Sequence, residues 1–131
     1  MSEMINKILK DNFDDKTDSE LNMELSYLQL KRNKNLKSVK LKNEIIEIKL
    51  SNEEVIEVLP KDYCSNWNVT MPIAVDKGVS LSFDGIDWEA DTLWMGEELS
   101  NRSFNNIENH AGKPLRAVVI CLIKILKGEN K

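Results

Sequence analysis

The stretch Pro114-Leu115-Arg116-Ala117-Val118-Val119-Ile120-Cys121-Leu122-Ile123 narrows the choice of fold more than any other part of this chain. Pro114 suits the first turn of a helix, where the N–H it lacks has no partner to lose. Leu115, Val118, Val119, Leu122, Ile123 and Leu126 then recur at steps of three and four, so they share one helical face. Lys124 and Lys127 complement the negative end of the helix dipole, and Gly128 is the expected stop. An apolar face of this kind must be covered, and the remaining chain has to supply the cover. The apolar run Ala117 to Ile123 is too short to span a bilayer, which takes roughly 20 residues.

Upstream, two further helices are expected. Met4, Ile5, Ile8 and Leu9 have helical spacing after Ser2, so residues 1–16 are expected to hold a loosely attached N-terminal helix. Thr17 stands three residues before Glu20, the pattern of a capping box. Leu21, Leu25 and Leu28, with Met23 and Leu30, predict a helix from Asp18 to Lys31. Val39 with Leu41, then Ile46, Ile48 and Leu50, then Val55, Ile56 and Val58, read as three strands. Ser51-Asn52 marks a hairpin turn between the last two, although no glycine is there to make it. Cys64-Ser65-Asn66-Trp67 reads as a helix start with Ser65 as the cap. Pro72 keeps that helix short or kinked, and Gly78 ends it. Val79, Leu81 and Phe83 alternate with serine as a strand, and Asp84-Gly85 turns the chain into a partner strand beginning at Trp88 and Ala90. Glu97 to Gly112 is polar and reads as a long loop, the kind of segment that is often functional in a compact domain. The expected fold is α+β in a single domain over 1–131. It would be one antiparallel sheet of about four to six strands, packed by N-terminal helices and a C-terminal helix.

Size and charge limit function. With 131 residues, 41% apolar and 31% charged, the chain can bury one core without disulfides or metal. A net charge of −4 argues against bulk nucleic-acid binding, which needs a basic face. Lys31, Arg32, Lys34, Lys37, Lys40 and Lys42 do cluster, and such runs usually form a solvated surface. Cys64 and Cys121 form no CxxC pattern and His110 is the single histidine, so no structural metal site and no cofactor is expected. The first twelve residues hold no continuous apolar run of the kind a signal peptide needs, and the cytoplasm is the expected compartment.

Three stretches taken in order resemble the NinX-like family of small phage proteins. They are Thr17-Asp18-Ser19-Glu20-Leu21-Asn22; then Asp62-Tyr63-Cys64-Ser65-Asn66-Trp67, with Pro72-Ile73, Gly78-Val79-Ser80-Leu81 and Trp88-Glu89-Ala90; and finally Lys113-Pro114-Leu115-Arg116-Ala117-Val118-Val119-Ile120. The sequence departs from that family over Leu36 to Pro60 and Glu97 to Gly112. The resemblance implies a phage or prophage origin and an accessory role in the host cytoplasm. It supplies no catalytic residue.

Five residues stand out as candidate ligand contacts. Arg116 and Lys113 flank the start of the last helix, where unbonded N–H groups and the positive dipole end gather. Together they could hold a phosphate or carboxylate. The alternative is an internal anion for Arg116, with Asp62, Asp76 or Glu89 as candidates. Trp67 could stack on a base that Asn66 reads, or it could pack in the core beside a capping asparagine. His110 could serve as an acid or base in the polar loop, or simply face solvent. Trp88 and Trp94, six apart, would share a face on one strand, a face more often core than stacking platform.

These features lead to three readings. In the first, a non-catalytic phage protein counters host defence by sequestering a phosphorylated small molecule such as a cyclic nucleotide, as a homo-oligomer with shared pockets. In the second, the chain is a module that binds, and inhibits or recruits, a host protein. In the third, it is a nucleotide-processing enzyme using His110. No membrane partner is expected in any of them.

Overall fold

The computed structural model describes residues 16–83, 88–94, 97–103 and 114–129. The expected helix within residues 1–16 lies almost wholly outside them. Among the described residues three helices and six strands follow in the order α1 (Asp18–Lys31), β1 (Leu36–Leu41), β2 (Ile46–Leu50), β3 (Val55–Val58), α2 (Trp67–Asp76), β4 (Ser80–Phe83), β5 (Trp88–Trp94), β6 (Glu97–Ser103) and α3 (Pro114–Glu129). The fold is α+β. Its strands do not join in one sheet, however. They form two antiparallel three-stranded sheets, β1-β2-β3 and β4-β5-β6.

The reason lies in α1 and α3. Helix α3 is covered on every side from Leu115 to Ile123. The sheet β4-β5-β6 packs on it through β5 and β6, and α1 and α2 cover its other sides. Leu21, Leu25 and Leu28 of α1 face this core, with Tyr63, Cys64, Ala74 and Ala90. Met23 and Leu30 point to the opposite side of α1 and pack on Ile46 and Ile48 of the other sheet, and Tyr27 touches both cores. Residues 21, 25 and 28 and residues 23, 27 and 30 trace two stripes about half a turn apart. Helix α1 thus separates two small cores, and one continuous sheet could not serve both.

Local chemistry sets the ends of the elements. Thr17 accepts from Glu20 N, and the Glu20 side chain accepts from Thr17 N at 2.9 Å, so the capping box forms. Asn66, and not Ser65, caps α2 by accepting from Asn68 N. Pro72 sits inside α2, and Gly78 follows its end with φ 69°. The β2–β3 turn solves its lack of glycine by placing Glu53 at φ 74°. That left-handed residue is the one a three-residue hairpin loop requires. Helix α3 runs through Gly128 to Glu129.

The expected loop from Glu97 to Gly112 is corrected over its first half. Glu97 to Ser103 is strand β6, paired with β5 from Trp94↔Glu97 to Trp88↔Ser103. Its polar sequence carries no β-branched alternation, and its conformation comes from the neighbour it pairs with. Residues 104–113 lie outside the described residues.

Candidate functional site

Arg116 lies in the first turn of α3, and its side chain is fully buried. A cation there opposes the helix dipole and needs an anion. Asp18 supplies it from the first turn of α1, accepting from Arg116 Nη1 at 2.7 Å, while Nη2 donates to the Lys16 carbonyl. The anion is therefore internal, and it is none of Asp62, Asp76 and Glu89. An outside phosphate would have to displace Asp18, whose side chain is about one-third exposed.

A second ion group adjoins it. Lys16 Nζ, also fully buried, lies 2.5 Å from Glu24 Oε1. Lys127 Nζ approaches Glu24 Oε2 at 2.8 Å, an ion pair without the angle of a hydrogen bond. One carboxylate on α1 thus ties the chain before that helix to the last turn of α3. Nothing local in the sequence announces this cluster, because Lys127 comes from the far end of the chain relative to Lys16 and Glu24.

Two members of the basic cluster, Lys37 and Lys42, are paired at the surface. Lys37 and Lys49 both pair with Glu53, and Lys42 pairs with Glu47 at 2.6 Å. The Lys42 bond holds the Glu47 carboxyl below the usual range, and Glu47 raises the Lys42 ammonium. Lys40 stands opposite Glu47 in the sheet register. On the sheet the charges alternate in sign, while Lys31, Arg32 and Lys34 lie exposed at the end of α1 and in the turn after it.

Asn66 and Trp67 remain together at the start of α2. Asn66 performs the capping role. Trp67 is 45% exposed and does not enter the core, against the expectation that a large aromatic packs. Val75, two turns on, is 74% exposed. Between them Met71 is half-buried, while Thr70 and Ala74 turn inward. Thr70 Oγ1 donates to the Tyr63 carbonyl at 2.5 Å, which holds the helix against the preceding turn. The helix therefore exposes two apolar side chains, Trp67 and Val75, ~12 Å apart along its axis at 1.5 Å per residue, with Met71 packed against the core between them.

A cavity of about 250 Å³ opens between the end of α1 and the segment after β3. Ser26, Leu30, Val58, Leu59, Lys61 and Tyr63 contribute to its walls. Ser26 accepts from Lys61 N at 3.0 Å, and Asn22 accepts from Cys64 N at 2.9 Å, so the 61–64 segment is stitched to α1. Burial raises the Tyr63 hydroxyl, and its bond to Ser26 partly offsets that rise.

Of the five expected contacts, Asn66 and Trp67 share one surface, and Arg116 is internal. Lys113 and His110 lie outside the described residues. Trp88 and Trp94 both lie on β5, at positions of equal parity with buried Ala90. Cys64 and Cys121 are buried and carry no disulfide. Burial pushes the Cys121 thiol up to about 11. Among the described residues no group of three or more His, Cys, Asp and Glu side chains is placed to hold a metal ion. Nor is any helix among them long and apolar enough to cross a membrane. No family model, no curated protein and no solved structure matches the chain.

Proposed function

We propose that the protein is a non-catalytic binding module whose ligand is another protein, contacted through the outer side of α2. The observation that carries this reading is the exposure of Trp67, with Val75 beyond it on the same helix. A half-exposed tryptophan on a capped helix is a ready anchor. Trp is enriched among the residues that dominate interface energetics, and its ring brings a large apolar area. Sequestration of a nucleotide signal has less support from the described residues, because the Arg116 guanidinium is engaged with Asp18, and Lys37 and Lys42 of the basic cluster are paired with glutamates. In the phage setting that the NinX-like resemblance implies, the partner is a host protein and the outcome is its inhibition or recruitment.

The test is affinity purification from host cells with wild type and Trp67→Ala, followed by titration of the protein recovered. One stoichiometric partner is expected, bound about 30-fold or more weakly by Trp67→Ala, the loss that corresponds to ~2 kcal/mol at a dominant contact. The variant should keep the wild-type circular dichroism spectrum, since the side chain lies largely outside the core. Equal affinity of the two proteins would overturn the reading. So would a nucleotide that raises the melting temperature by several degrees in the absence of any protein partner.

A further inference from the structure

The sheet β1-β2-β3 ends in two unlike edges. The β1 edge carries Lys37 and Lys40 and a register shift between Leu36 and Ser38, devices that discourage further strand pairing. The β3 edge has no lysine and no register shift, and its single charge is Glu57. Its sequence is Val55-Ile56-Glu57-Val58, followed by Leu59, and Pro60 comes only after the strand. Val55 is 52% exposed, Ile56 41% and Leu59 75%.

The hydrogen-bond parity of β3 shows which backbone groups face outward. Leu50 N donates to the Glu54 carbonyl at 2.8 Å, so the pair 50↔54 is a bonded one. Bonded and non-bonded pairs alternate in antiparallel sheets, so Ile48↔Ile56 and Ile46↔Val58 are also bonded. The N–H and C=O groups of Val55 and Glu57 are therefore directed away from β2, toward the open edge.

We propose that this edge joins two copies of the chain, antiparallel through β3, with Val55 of each opposite the partner's Glu57. The register follows from parity. Val55 and Glu57 are the residues whose backbone groups face out, and this pairing matches them twice about a two-fold axis through Ile56. Four N–H···O bonds result, and the two small sheets become one of six strands. A two-fold contact of this kind closes on itself instead of propagating.

Side chains select the same register. Ile56 meets the partner's Ile56 on the face that looks toward α1, which covers the exposed part of both. Sliding by two residues in one direction sets Glu57 against the partner's Glu57, a repulsive cross-strand pair. Sliding the other way sets Ile56 against the partner's Glu54 and Glu57 against the partner's Glu53. In the proposed register the partner's Glu54 instead falls opposite Val58, beside the cavity whose wall includes Lys61. Neither Glu54 nor Lys61 makes an ion pair among the described residues. The contact is independent of the α2 surface, and a dimer would carry that surface twice.

A four-residue edge covers less than the ~800 Å² per partner of a standard interface, so the dimer should dissociate on dilution. Sedimentation velocity over a concentration series should show a monomer–dimer equilibrium for wild type, and only monomer for Ile56→Lys. A cysteine pair gives a second reading of the register. In a non-bonded antiparallel pair the Cα atoms are about 4.5 Å apart, within disulfide reach. Ile56→Cys should form a linked dimer under mild oxidation about tenfold or more faster than Leu59→Cys, although position 59 is the more exposed, because pairing holds the thiols at millimolar effective concentration. The native cysteines are buried and do not compete. A single monomer mass across the series would overturn the proposal and leave the edge to a strand from a different protein. A dimer that survives Ile56→Lys, or an Ile56→Cys that links no faster than Leu59→Cys, would also overturn it.

Discussion

Arg116 illustrates how a charge can be held at the wrong end of a helix dipole. Asp18 lies at the N-terminal end of α1, where a carboxylate is favoured, and it reaches Arg116 at the N-terminal end of α3, where a guanidinium is not. One carboxylate therefore serves two helix starts. Asp18→Asn would take one carboxylate away from a buried guanidinium. Breaking a fully buried pair costs ~3–5 kcal/mol, and the partial exposure of Asp18 reduces this to about 2 kcal/mol. Urea denaturation of the variant checks the figure, and an unchanged midpoint would mean that the Asp18 carboxylate contributes nothing to holding Arg116. Trp67 presents the opposite case. Its sequence context fits a core residue as well as a contact residue, and only the packing of Thr70 and Ala74 beneath α2 leaves the ring outside.

At the scale of elements, α1 is the piece on which the rest depends. It carries apolar residues on two opposite sides, and the periodicity that predicts the helix does not reveal that Leu21, Leu25 and Leu28 face one core while Met23 and Leu30 face another. Its N-terminus was nevertheless legible. Thr17 and Glu20 form the expected capping box, and because the Thr17 side chain is exposed its loss creates no cavity. Thr17→Ala should therefore cost the cap alone, about 1 kcal/mol, read as a shift in the denaturation midpoint with unchanged slope. A loss several times larger would show that the cap also holds Lys16 in the buried ion cluster. Strand β6 is the counterexample. Glu97-Glu98-Leu99-Ser100-Asn101-Arg102-Ser103 has no strand pattern, and β5 imposes its conformation by pairing along seven positions.

In the whole molecule, α3 is the shared wall of every layer but one. The sheet β4-β5-β6, α1 and α2 all rest on it, and β1-β2-β3 is joined to it through α1. Leu122 is fully buried in that helix. Leu122→Ala should destabilise by about 2–5 kcal/mol, and the unfolding transition should stay single, because each layer loses its support together. Separate transitions by tryptophan fluorescence and far-ultraviolet circular dichroism would show instead that β1-β2-β3 unfolds on its own. The sequence by itself determined what depends on near neighbours: the α+β class, the Asp18–Lys31 helix with its cap, the strands with β-branched alternation, the stop at Gly78, and the start of α3 at Pro114. Tertiary structure alone decided the split into two sheets, the strand at Glu97–Ser103, the pairing of Arg116 with Asp18, and the exposure of Trp67. Those outcomes depend on which distant surfaces meet, and a local pattern carries the preference of a segment but not the identity of what covers it.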